Sequence, residues 1–189
     1  MREVEERNGF GRRLWLWVTV IAVAAVLGSV AAVLLSSPAP ATMERTYQVV
    51  AYHWGFAIFD ENGNEVPRIE VAEGTEVTLS VISAASLDHE AHHEYMERTI
   101  EAWADNPAFG GKTAMELHEL MEEAEAAGLN DHVVTIPAFG VSATTDHESP
   151  TPVVVTFVAD ERGTFDIVCA GLCGWGHLFM SLPGGVVVS

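Results

Sequence analysis

Four side chains near the end of the sequence could hold one soft metal site. Cys169, Cys173, His177 and Met180 follow the pattern C-x3-C-x3-H-x2-M. Thiolates select copper, zinc or iron–sulfur, and imidazole suits copper and zinc. A thioether is a poor zinc ligand but a recurrent weak axial ligand to copper in electron-transfer sites. Gly174 and Gly176 permit the sharp backbone turns that a compact ligand loop needs. With only two cysteines so close together, three readings remain open: metal ligands, a redox pair or a disulfide. A disulfide across so short a loop would constrain little chain and stabilise little.

The spacing resembles the copper-A loop of cytochrome oxidase subunit II and of related domains in nitrous oxide reductase. That resemblance implies a centre of two copper ions bridged by Cys169 and Cys173. His177 is then one histidine ligand, Met180 a weak axial ligand, and Gly171 the source of a carbonyl ligand. The family also has an earlier histidine in a segment like H-x-x-x-I-P-x-x-G. His132 to Gly140 fits this pattern, so the resemblance implies His132 as the other histidine. Many family members carry a carboxylate where this chain has Gly171. Tyr52-His53-Trp54-Gly55-Phe56 looks like the family's aromatic segment, which makes Trp54 a candidate for the point where electrons enter. Trp175, inside the loop, either covers the site or packs.

These ligands need a rigid scaffold. Strand-like runs occur at 47–54, 76–82, 133–136, 153–158, 165–169 and 186–188, separated by Gly, Pro and Asn turns. They predict an antiparallel β-sandwich. The resemblance makes it cupredoxin-like, a Greek-key sandwich or barrel. Residues 86–130 interrupt this pattern. Asp88 to Trp103 places Tyr95, Met96, Thr99, Ile100 and Trp103 on one helical face. A second helix opens with a capping box, Thr113 with Glu116, carries the stripe Leu117, Leu120, Met121 and Ala124, and stops near Gly128. The segment is an expected helical hairpin inserted at about 86–130. His89 and His93, at i and i+4, could share a metal, but the acid-rich segment reads more simply as a solvated face.

The segment from Leu14 to Leu35 is uncharged and almost wholly apolar. As a helix it would rise about 33 Å, enough for a bilayer core of about 30 Å. Arg2, Arg7, Arg12 and Arg13 precede it, which predicts a cytoplasmic N-terminus. The expected organisation is a cytoplasmic stretch 1–13, a transmembrane helix 14–35, a linker 36–45 and a copper domain 46–189 outside the membrane. A cleaved signal peptide is the alternative, but its apolar region is usually shorter.

Acidic residues number 27 against 9 basic ones, and Lys112 is the single lysine. This balance excludes nucleic acid as a partner, because phosphate contacts need Lys and Arg. Acid-rich, lysine-poor surfaces resemble those of halophilic proteins, and together with the family resemblance this implies a halophilic archaeon as the source. A single anchor is similar to subunit II of B-type heme–copper oxidases. The resemblance therefore implies an electron-transfer subunit of a membrane terminal oxidase. Its partners would be a heme-bearing subunit I and an extracytoplasmic donor, a cytochrome c or a small blue-copper protein. The chain would be an electron relay without an oxygen-reducing site of its own. Alternatives are a copper-A subunit of a nitric oxide reductase, a mononuclear blue-copper carrier, a copper chaperone or thiol oxidoreductase, and a structural zinc site.

Overall fold

A computed structural model of the chain describes residues 43–189. The expected segments 1–13 and 14–35 lie outside the described residues. Among those described, no helix is long and apolar enough to cross a membrane.

Among the described residues, ten strands form two five-stranded sheets. They are β1 Glu44–Tyr52, β2 Gly55–Phe59, β3 Glu65–Val66, β4 Ile69–Val71, β5 Thr75–Ser83, β6 Val133–Ile136, β7 Val141–Thr144, β8 Val153–Ala159, β9 Gly163–Cys169 and β10 Ser181–Val188. One sheet runs β3-β2-β1-β5-β8 and the other β4-β10-β9-β6-β7. Alternation along β5 turns Val77, Leu79 and Val81 into the core, where they join Val49 and Ala51 of the same sheet. Ile136, Ile167 and Val186 of the other sheet belong to that core as well. The protein is mainly β, as expected.

The sheets are mixed rather than antiparallel throughout. β1 pairs in parallel with β5, and β4 with β10. The cause is connectivity. Between β1 and β5 the chain supplies β2 and β3 to one sheet and β4 to the other. It therefore returns to β1 by a crossover and not by a hairpin.

The stretch between β5 and β6 contains two helices, α1 His89–Trp103 and α2 Ala114–Ala126. Asp88 caps α1 by accepting from the Ala91 N–H at 3.0 Å. The Thr113–Glu116 capping box opens α2, and Gly128 lies just beyond its end in the left-handed conformation, φ 69°. The hairpin is continuous with the main core. Phe109, Leu117 and Met121 are fully buried in the same cluster as the sheets. Tyr95 of α1 covers the opposite face of the first sheet, over Val50, Ala57 and Ile82.

Candidate metal centre

Strand pairing brings the first two donors together. His132 immediately precedes β6 and Cys169 ends β9. β6 and β9 are antiparallel neighbours, with Val134 opposite Cys169. The Ala170 N–H donates to the Val133 carbonyl at 2.8 Å and continues the ladder. Thr145 fixes the His132 backbone on both sides. Its Oγ1 accepts from the His132 N–H at 2.9 Å, and its own N–H donates to the His132 carbonyl at 2.8 Å.

From Cys169 the chain loops out and returns at Met180, whose carbonyl accepts from the Cys169 N–H at 3.1 Å. A short 3-10 turn, His177–Phe179, ends the loop and points both His177 and Met180 at Cys173. His177 Nδ1 and Met180 Sδ each lie 3.6 Å from Cys173 Sγ. Cys169 Sγ is 3.6 Å from Cys173 Sγ and 3.1 Å from the Gly171 carbonyl oxygen. Donor atoms of His132, Cys169 and Cys173 all lie within 4.8 Å of one another. The residues singled out in the sequence thus converge on one place.

The chemistry of this set fits a soft metal. Both cysteines are free thiols, and 3.6 Å is far beyond the disulfide bond length of about 2.05 Å. It is short enough for both sulfurs to reach a common metal at the usual thiolate distance of about 2.3 Å. His132 Nδ1 is buried with no hydrogen-bond partner, an arrangement that is costly unless another group satisfies it. Hydrogen bonding with Cys173 is the largest influence on Cys169 and pulls its thiol down. The same contact, with burial, holds the Cys173 thiol up. Two sulfurs this close behave as one coupled pair, and a metal would replace their shared proton.

Most of the site is shielded from solvent, with His177 on its partly exposed side. Cys173 is fully buried, and His132 and Met180 are nearly so. Gly171 lies against β6, and a Cβ there would sit 2.6 Å from Val133 Cγ2. The missing side chain is therefore a steric requirement of this chain.

Trp54 is buried beneath the loop and has no surface of its own. It is 1% exposed, and its Nε1–H donates to the Cys173 carbonyl at 3.1 Å. The loop's own Trp175, half-exposed, is the indole that meets solvent, and its ring lies 6.1 Å from that of Trp54. Trp54 occupies the two-residue turn between β1 and β2 with φ 67°. That conformation is unusual for a bulky side chain and is the one a tight two-residue hairpin turn demands.

Sequence reasoning missed His53. Its ring stands edge-on to that of His132 at 5.9 Å, and its Nε2 is buried without a partner. Desolvation pushes its pKa down to about 4, so the ring is neutral at ordinary pH. Beside it is a cavity of about 10 Å³, the room of a single water, lined also by His92, Tyr95 and Met96. The signal available in sequence was position: His53 lies next to an aromatic already singled out.

Three of the four hairpin histidines engage carboxylates, and the fourth, His89, has its ring 6.3 Å from that of His93. His92 faces Glu125 at 3.1 Å, His93 faces Glu97 at 3.7 Å, and His118 faces Glu122 at 3.4 Å. Among the described residues no group of three metal-capable side chains occurs in the hairpin.

No protein-family model and no curated protein matches the sequence. Several solved structures resemble the fold. One is the periplasmic domain of subunit II of cytochrome oxidase from Bradyrhizobium japonicum, at 15% identity and TM-score 0.45, covering 77% of this chain and 83% of that one. Another is a chain of a heme-copper terminal oxidase dimer, at 14% identity and TM-score 0.42, covering 98% and 99%. A third is copper nitrite reductase from Nitrosomonas europaea, at 16% identity and TM-score 0.36, covering 78% of this chain and 41% of that one.

Proposed function

We propose that this chain is the electron-transfer subunit of a membrane terminal oxidase. It accepts single electrons outside the membrane at a binuclear copper-A centre and delivers them to heme in a partner subunit. The observation that carries this reading is the pair of free, buried thiols 3.6 Å apart, with His132 against them and His177 and Met180 converging on Cys173.

In this reading Cys169, Cys173, His132 and His177 would be the main ligands holding the two coppers, with Met180 and the Gly171 carbonyl as weaker ones. The centre, when loaded, supplies a one-electron couple shared between two metals. The chain's own part is to hold the donors still and keep water out. Two thiolates, two imidazoles, a thioether and a carbonyl leave no open position for substrate, and a closed site suits electron transfer rather than bond chemistry. The rigid β6–β9 ladder means that little need move as the charge changes. Residues 14–35 serve as the anchor, with the N-terminus cytoplasmic. The donor is a cytochrome c or a small blue-copper protein.

Copper reconstitution of the full-length chain tests this. The expected result is two coppers per chain and an electron paramagnetic resonance spectrum of one electron spread over both. One copper would indicate a mononuclear carrier, and colourless zinc binding a structural site; either would overturn the proposal.

A further inference from the structure

The turn between the two helices ends in Phe109, which is fully buried although it lies in an acid-rich insertion. Its ring sits 4.8 Å from Trp175 and 4.7 Å from Phe179, the residues two positions either side of His177. It also touches Trp54 at 5.3 Å and stacks on Trp103 of α1 at 4.5 Å. Two glycines of the loop make the approach possible. A Cβ on Gly176 would fall inside the Trp54 indole, and one on Gly174 would lie 2.9 Å from Ala124 Cβ of α2. Lys112 lies over the Trp175 ring at 5.9 Å.

We infer that the helical hairpin is a clamp on the ligand loop, with Phe109 as the positioning residue that holds His177 in place before any metal arrives. A glycine-rich loop left alone would sample many conformations, and each ligand would have to be ordered on binding. Here three separate elements fix it. Trp54, from the β1–β2 turn, lies against Gly176 and donates to the Cys173 carbonyl. Ala124, from α2, stops Gly174. Phe109, from the inter-helix turn, packs against both aromatics that flank His177, Trp175 and Phe179, which also stack on each other at 6.2 Å. The hairpin is thereby part of the centre's support. The metal-binding consequence rests on the copper reading, but the mechanical one does not.

The test uses the full-length chain with Phe109→Ala and Phe109→Leu. In the copper-free protein, amide hydrogen exchange of residues 174–180 is expected to rise roughly tenfold in the alanine variant, with β5 and β9 unchanged. Leucine, which refills most of the space, should restore most of the protection. In the copper-loaded protein, retention against a competing chelator should fall about tenfold to a hundredfold for alanine, the usual loss for an outer-shell partner. Unchanged loop exchange, or a rise shared equally by the strands, overturns the inference. If the alanine variant does not fold, Phe109→Val, which leaves a smaller gap, takes its place and is read by the same loop-against-strand comparison. A wild type that binds no copper pair would sink the proposed function while leaving the exchange result to decide the clamp.

Discussion

Gly171 illustrates how little room the donors have. A methyl group there would meet Val133 Cγ2 at 2.6 Å, on the residue directly after His132. Gly171→Ala should therefore displace His132 and weaken copper retention about tenfold in a chelator competition. Combining it with Val133→Ala should recover most of the loss. Trp54→Phe removes the donor to the buried Cys173 carbonyl. It should cost about 1–3 kcal/mol in denaturant unfolding, more than a ring-size change alone on the surface. A titration probes the chain beside the centre. His147 donates to Asp131 Oδ1 through both its Nδ1 and its backbone N–H, at 2.9 and 2.8 Å. The side-chain hydrogen bond with Asp131 raises the imidazole above its ordinary 6.5. The imidazole's contribution is therefore full below about 6.5 and is lost as pH rises through the higher folded value. Nuclear magnetic resonance titration should find His147 above 6.5 and Asp131→Asn should bring it down. At this scale the sulfur donors were legible because their types and spacing are local. His53 and the conformation of Trp54 were not, because each acquires its meaning from residues far along the chain.

Elements that carry their own punctuation were read well. Asp88, the Thr113–Glu116 box and Gly128 bound the two helices in sequence and in structure alike. Thr113→Ala should cost about 1 kcal/mol by loss of the cap, seen in thermal unfolding. Because α2 shares the main core through Leu117 and Met121, that loss should move the single unfolding transition rather than melt the hairpin alone. The long strands β5, β8 and β9 followed their alternation. The short β2, β3, β4 and β7 did not announce themselves, whereas the equally short β6 was read from its β-branched run Val133–Ile136. The parallel pairs were invisible for a different reason: alternation tells which face is buried, not which neighbour lies alongside. Phe109 was passed over because it follows Asn106-Pro107 in a turn. Only the fold reveals that this turn is tucked inwards.

Across the whole molecule, charge of one sign dominates, a net of −18. Among the described residues the cationic groups are engaged: Arg45 with Glu61, Arg68 with Glu70, Arg98 with Glu65, Lys112 with Glu116 and Arg162 with Glu73. The remaining acids repel one another over the surface, and salt screens that repulsion within about 10 Å at 0.1 M and 3 Å at 1 M. The melting temperature should therefore rise between 0.1 and 2 M potassium chloride, and a flat or falling curve would contradict this account.

The hydrogen bond from Trp54 to the Cys173 carbonyl spans 119 positions of the chain. It has a consequence in time. During synthesis the indole leaves the ribosome first, then the clamp, then His132, and the sulfurs and Met180 follow much later. Nothing resembling the finished cup can exist on a partial chain, because its floor and its rim belong to opposite ends of the fold. Contacts of this range also close slowly. Any metal that the site takes would then meet a completed domain and not the emerging polypeptide.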